Sequence, residues 1–527
     1  FIHVEALDTF AFLKEQISTG YFENLIQTYL LDNQHGALVT IVPEPGRTAR
    51  LDAELKEKLQ AYKESLSREE IEKLVADTKH LQEYQEEQSS QEDLEKIPML
   101  TRADISREIA PIYNEEMKIA DIPTVFHEIE TNGIGYLDLM FDLSDVPEKD
   151  LPMVGLLQAV LGIIDTEHYE YGELFNEINR HTGGIGTSLE LYPDVTKVKE
   201  KEFRATFEIK AKALYGQIPF AIRMMKEILT ASKLDDEKRL KEILSMTKTR
   251  LQDRFLSAGH SAAALRAMSY KSPISKFKDT TNGIEYYQNI REMEEHFDEK
   301  KEEIISGLKA LSELLFRKGN VMISYTASRE GLAVLEEEIG SLKEALYPER
   351  TPESRCILHC EKKNEGFKTS SKVQFAAKAG NFIDAGEEYN GALQILKVIM
   401  SYEYLWINIR VKGGAYGCMS NFNRIGEGYF VSYRDPNLGR TLEIYDGVPE
   451  YLENFTVSER DMTKYIIGTI SNIDQPMTPA TKGDRSMNLY MNHVSAEMIR
   501  KEREEILTAN QEDIRALAGV ARAVLAN

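Results

Sequence analysis

The chain is poor in cysteine, in long apolar runs and in positive charge, and each shortage excludes something. Three cysteines (Cys356, Cys360, Cys418) in 527 residues cannot build the disulfide framework of a secreted scaffold and point to a reducing compartment. The longest apolar stretches, such as "LPMVGLLQAVLGII" (151–164), stop short of the roughly 18 residues that read as a membrane-spanning helix. Lys and Arg total 64 against 87 Asp and Glu, a formal net charge of -23. That balance disfavours nucleic acid, whose phosphates need clustered cations, and tolerates or attracts cationic peptides. The opening "FIHVEALDTFAFLKE" lacks a charged segment followed by an apolar one, so no signal peptide is expected, and a start on Phe reads as a cut. "CILHC" (356–360) offers two cysteines and His359, but the spacing fits no closed zinc site and no fourth ligand lies nearby. A strand or linker is expected there.

What is present is an ordinary globular composition, 42% hydrophobic and 29% charged, long enough for about three or four domains. "FAFLKEQISTGYFENLIQTYLL" (10–31) reads as helix, and "GALVTIVPEPG" (36–46) as one strand, Ala37 to Val42, ending in a turn. A lone strand leaves its backbone unpaired, so this segment is expected to belong to a domain lying mostly upstream. Leu51, Leu55, Leu59, Tyr62 and Leu66 share one helical face. "SREE" (67–70) is a capping box that starts a second helix carrying Ile71, Leu74, Val75 and Leu81. The two make a helical hairpin over 48–87, and "EYQEEQSSQEDLEK" after it reads as a solvated helix end and linker.

The remainder contains an internal repeat. Its first copy runs strand "IGYLDLMFDL", helix "LPMVGLLQAVLG", then "LFNEINRHTGGIGTSLEL", strand "FRATFEIKAKAL" and helix "IPFAIRMMKEIL". The second runs strand "KVQFAAKAG", helix "YNGALQILKVIMS", then "LWINIRVKGGAYGCMSNF", strand "GYFVSYRD" and helix "LEIYDGVPEYL". This order predicts an α+β fold with helices packed on a mainly antiparallel sheet. "YPERTPESR" (347–355) reads as the linker between copies. Gly183-Gly184 and Gly413-Gly414 occupy matching places, but a tyrosine, Tyr416, follows only the second pair.

"IRVKGGAYG", preceded by "ALQILKVIMSYEYLW", resembles the C-terminal half of the pitrilysin/insulinase family of zinc metallopeptidases, in its presequence-protease and falcilysin-like branch. "LSREEIEKLVADTKHLQEYQ", "EKIPMLTRADI" and "IIGTISNIDQPMTPATKGDR" extend the resemblance over essentially the whole chain. It implies a remnant of a preceding peptidase domain at 1–46 and a hairpin linker at 47–103. Two homologous peptidase-like α+β domains would occupy 104–346 and 347–527. It further implies peptide substrates held in a closed chamber, and zinc bound by an N-terminal half of the same polypeptide through an H-x-x-E-H motif. None of the ten histidines forms that motif here. In the first repeat Met153, Leu156 and Leu157 stand where its ligands and glutamate would, and such side chains cannot bind zinc. The expected compartment is bacterial cytoplasm or an organelle matrix, with neither nucleic acid nor membrane as partner.

By the same resemblance, Arg410 and Tyr416 match the arginine and tyrosine that the family's second half contributes to catalysis. A guanidinium and a phenol are suitable donors for an oxygen that gains negative charge when a peptide carbonyl is attacked. Taken from the residues alone, Arg410 caps its own helix and Tyr416 is a half-buried strand aromatic. Gly413 and Gly414 are expected to supply turn geometry beside the substrate. Trp406 is expected in the core, His181 is expected to be structural, and "TGGIGTS" lacks the ending of a phosphate-binding loop. The alternative to a peptidase half is a non-catalytic scaffold or binding member of the same fold family.

Overall fold

The computed structural model describes residues 6–87, 89–350 and 355–526. Residues 351–354 of the expected linker therefore lie outside the described residues. The chain divides into two units, 1–98 and 99–527.

In the first unit the opening helical stretch is interrupted. Helix Ala6–Gln16 ends before Gly20, whose φ of 73° breaks the α geometry, and helix Tyr21–Ile26 runs into a π-helical turn, Gln27–Leu31. The strand expected at Ala37 to Val42 does not form. Residues 37–42 join no ladder, and Leu38 and Ile41 are 96% and 90% exposed. A strand exists only where a neighbour takes up its amides and carbonyls, and none among the described residues does so here. The hairpin forms as the pattern predicts, from helices Arg47–Ser65 and Arg68–Glu86. Ser67 caps the second: Glu70 N donates to Ser67 Oγ (3.2 Å), and Ser67 N donates to Glu70 Oε2 (2.8 Å). Bonds from the Ser67 backbone and side chain to the Glu70 carboxyl hold it below its usual pKa. No described residue of 6–98 is buried.

The second unit holds two sheets. The larger comprises β1 (Glu115–Ile119), β2 (Ile122–Glu128), β3 (Ile134–Asp142), β4 (Ile185–Pro193), β5 (Phe203–Leu214) and β6 (Val321–Ala327), ordered β1-β2-β6-β3-β5-β4. Only β2 and β6 pair in parallel. The smaller comprises β7 (Ala377–Asn381), β8 (Gly417–Phe422) and β9 (Glu427–Tyr433), ordered β7-β9-β8 and antiparallel throughout. The arrangement β3-β5-β4 recurs as β7-β9-β8, strand for strand, so the repeat seen in the residues is also a repeat of topology.

Alternation decides which face is covered. In β3, Leu137, Leu139 and Phe141 bury against helices such as Leu151–Val160, Ile218–Thr230 and Phe297–Leu315 in the first core. Met140, on the opposite face, joins Val125, Tyr192 and the methionines Met487 and Met491 of helix Pro479–Met491. That opposite face also carries charge. Lys210 Nζ lies 2.8 Å from Glu208, 3.5 Å from Asp138 and 3.6 Å from Glu190. Burial, reinforced by the neighbouring Glu208, pushes the Asp138 carboxyl well above its usual pKa. A separate core, built on Leu393, Leu396, Ile399, Phe422 and Phe430, belongs to the second copy.

Two elements of the second copy are shorter than the pattern predicts. The ladder of β7 begins at Ala377, and upstream only Gln374 bridges to Asp435. The helix expected over "LEIYDGVPEYL" splits at Gly447 into Gly439–Asp446 and Val448–Glu453. Pro449 sits in the first turn of the latter, where a missing N–H is no loss. No helix among the described residues is long and apolar enough to cross a membrane.

Candidate active site

Helix Ala392–Tyr402 buries Leu393, Leu396 and Ile399 and so anchors the segment after it to the second core. After a break at Glu403, residues Trp406–Val411 form a π-helical turn, with Lys412 N donating to Ile407 O at 2.9 Å. Such wide turns insert a residue and re-aim the side chains beyond it. Ile409 is buried in the core while Arg410 stays only partly covered.

The glycine pair makes the exit possible. A Cβ on Gly413 would stand 2.3 Å from the Ile409 carbonyl oxygen, and Gly414 has a φ of +78°. A side chain at either position would be in collision or strained. Gly414 N donates to Arg410 O (2.9 Å), Ala415 N to Ile409 O (3.1 Å), and Asn437 Nδ2 to Gly413 O (2.6 Å). Tyr416 N then donates to Tyr433 O (3.0 Å), locking the residue before β8 onto the neighbouring strand.

Arg410 and Tyr416 are brought together by this turn. Arg410 Nε donates to the Tyr416 carbonyl at 3.0 Å, and the guanidinium carbon lies 4.1 Å from the centre of the Trp406 ring. No acidic side chain among the described residues pairs with Arg410. Tyr416 is 67% exposed and its ring meets Tyr433 edge-on at 5.7 Å, while its hydroxyl makes no hydrogen bond among the described residues. Tyr433 is itself held, its hydroxyl on Ser257 O (3.2 Å) and its ring against His260 (4.8 Å) and Phe375 (5.8 Å). Behind the turn, burial pushes the Cys418 thiol up to about 12 while the Arg410 charge opposes the shift. The result is a cation and a phenol, six residues apart, with unclaimed donors suited to a carbonyl or carboxylate oxygen.

Trp406 corrects an expectation. It packs against the second core but is only partly buried, and its ring underlies Arg410. The usable signal was its i, i+4 spacing to Arg410 on a helix. His260 carried no local signal, because it comes from a distant segment, whereas Tyr433 is set beside Tyr416 by the pairing of β8 with β9. His181 lies 4.5 Å from the Phe220 ring and 3.7 Å from Glu177. "CILHC" is neither helix nor strand. In it Cys356 N donates to Ser144 O (2.7 Å), and His359 Nδ1 lies 2.7 Å from Glu148. In the first copy, Leu156 and Leu157 are fully buried and Met153 packs on the same core, so these residues do not fit a zinc ion.

Two family models match the chain: the domain associated with subfamily C of the M16 peptidases over residues 41–293, and "PreP C-terminal domain" over 364–526. The chain belongs to subfamily C of the M16 peptidases. The second match encloses the whole Arg410–Tyr416 turn. Protein HypA of Clostridium perfringens is 38% identical over 518 residues, covering 98% of this chain and 53% of that protein. Presequence protease 1, chloroplastic/mitochondrial, of Arabidopsis thaliana is 29% identical over 96% of this chain and 47% of its own length. The chain thus spans about half the length of these relatives. Among solved structures, a peptidase M16 inactive domain from Pseudomonas fluorescens matches at 15% identity with a TM-score of 0.52, covering 78% of this chain and 94% of that one. A Helicobacter pylori protease matches at 13% identity and a TM-score of 0.51, covering 78% and 96%. At such identities these two establish the fold alone.

Proposed function

We propose that this chain is the C-terminal half of a zinc-dependent oligopeptidase that degrades unstructured peptides inside a closed chamber. In it Arg410 and Tyr416 bind the carbonyl of the scissile peptide and stabilise the negative charge its oxygen gains when water adds. Gly413 and Gly414 shape the turn that presents them. Zinc would be held by an N-terminal half of the same polypeptide, since Met153, Leu156 and Leu157 offer it no ligands. The segments 1–46, 47–103, 104–346 and 347–527 would be the end of a second domain, the hairpin linker, and the third and fourth domains. The relatives named above come from a bacterium and from a chloroplast and mitochondrial protein, which suits cytoplasm or an organelle matrix.

One observation carries this function. Arg410 is held by Tyr416 and Trp406, and among the described residues no carboxylate pairs with it and no group bonds the hydroxyl of the exposed Tyr416. A cation retained for structure is normally neutralised by a neighbour, whereas donors left open in a fixed geometry suit a substrate oxygen. In the enzyme containing both halves, Arg410→Ala and Tyr416→Phe should each lower kcat/KM sharply with zinc content unchanged. Near-normal turnover in both variants overturns the assignment. The 527-residue chain alone should cleave no peptide with zinc supplied, and chelator-sensitive cleavage by it would contradict the division into halves.

A further inference from the structure

Arg410 uses one of its five N–H donors, Nε, on the Tyr416 carbonyl, and lays its guanidinium on the Trp406 ring with the carbon 4.1 Å from the ring centre. A free arginine side chain samples many rotamers, and ordering it at the moment of reaction raises the barrier. Two contacts from different directions remove most of that freedom: a π face on one side and a carbonyl at the elbow. The ring face attracts the cation through its quadrupole without accepting a directed hydrogen bond, so it orients the group while leaving the terminal N–H donors for a ligand. A carboxylate at the same place would hold Arg410 more tightly but would occupy those donors and cancel the charge.

The backbone supports the same assignment. Trp406 opens the π-helical turn and Arg410 lies four residues on within it. Ile409, between them, is 1% exposed and pins the turn to the core. Trp406 is the only tryptophan in the chain, and tryptophan is the aromatic side chain that attracts a cation most strongly.

We propose that Trp406 is a positioning residue that holds the Arg410 guanidinium ready for the substrate carbonyl. This rests on the catalytic assignment of Arg410, so the experiment separates the two. In the enzyme containing both halves, Trp406→Leu should lower kcat/KM about tenfold, mostly through kcat, and Trp406→Phe should lose only about threefold. Placed in an Arg410→Ala background, Trp406→Leu should cause no further loss, because the residue acts through Arg410. Melting curves of the single and double variants report the packing contribution of the indole separately. If Trp406→Leu fails to fold, Trp406→Phe with and without Arg410→Ala carries the same cycle. A large loss in Arg410→Ala beside wild-type rates in the Trp406 variants overturns the positioning role alone. An equal loss from Trp406→Leu in both backgrounds does the same, since it reveals a merely structural part. Near-normal turnover in Arg410→Ala overturns both the catalytic assignment and the inference built on it.

Discussion

The two copies of the repeat reach their paired glycines in the same topology and do different things there. In the first copy a regular α-helix, Tyr171–His181, ends at the turn, and Arg180 is paired with Glu177 at 2.7 Å. Gly183 N donates to Lys212 O (2.6 Å) and Lys212 N to Gly184 O (3.1 Å), so the turn is absorbed into the pairing with β5. In the second copy the helix widens to a π turn, the arginine rests on an aromatic ring, and a tyrosine projects where the first copy has Ile185 and Gly186. The glycine pair therefore serves the architecture in both copies. What sets the second copy apart is an arginine with no acidic partner among the described residues and a phenol set beside it.

Paired substitutions in the two copies put this contrast to the test. The largest effect is expected from Arg410→Ala, about a hundredfold in kcat/KM, the usual scale for removing a donor to a developing oxyanion. Arg180→Ala, the matching change in the first copy, should stay within about twofold, because exposed ion pairs contribute little. Steady-state kinetics of the two variants side by side decide whether the copies differ in function. Tyr416→Phe should reduce kcat/KM by roughly thirtyfold and leave the melting temperature unchanged, since its hydroxyl bonds none of the described residues. A parallel fall in stability would make it structural. Gly413→Ala should destabilise the protein by about 2 kcal/mol, as the added methyl meets the Ile409 carbonyl. Gly186→Ala, with open space around it and an ordinary φ, should be nearly neutral in denaturant unfolding.

The smallest effect concerns the larger sheet and pH. Asp138 has a folded-state pKa well above its usual value because it is buried beside Glu208. The folded protein thus keeps a proton that the unfolded chain releases above about pH 4. Stability from this group is present below that pH and is lost as pH rises through the folded pKa. Asp138→Asn should flatten that decline in melting temperature, and an unchanged pH profile would show that Lys210 already compensates the charge.

Much of this was legible in the residues because it depends on neighbours in sequence. The Ser67 capping box, the alternation in β3 and β5 and the spacing of the hairpin helices each reflect periods of 2 or 3.6 and local hydrogen bonds. The strand expected at Ala37 to Val42 failed because β structure requires a partner, and β-prone residues cannot supply one themselves. Trp406 was expected in the core because an aromatic in an apolar helix usually lies there. That expectation assumed α geometry and could not foresee a π turn.

The residues alone carried the α+β class and the repeat, because both depend on periodicity written along the chain. The family resemblance marked Met153, Leu156 and Leu157 as standing where zinc ligands would, and Arg410 with Tyr416 as site candidates. Tertiary structure alone decided that Arg410 lacks an acidic partner among the described residues, that Trp406 underlies it, and that Tyr433, His260 and Phe375 back the exposed Tyr416. The His260–Tyr433 contact joins segments far apart in the chain, those of Phe375 and Tyr416 with Tyr433 join nearer segments folded around the smaller sheet, and Arg410–Trp406 hangs on one non-α turn. Their energies come from packing, which no local pattern encodes.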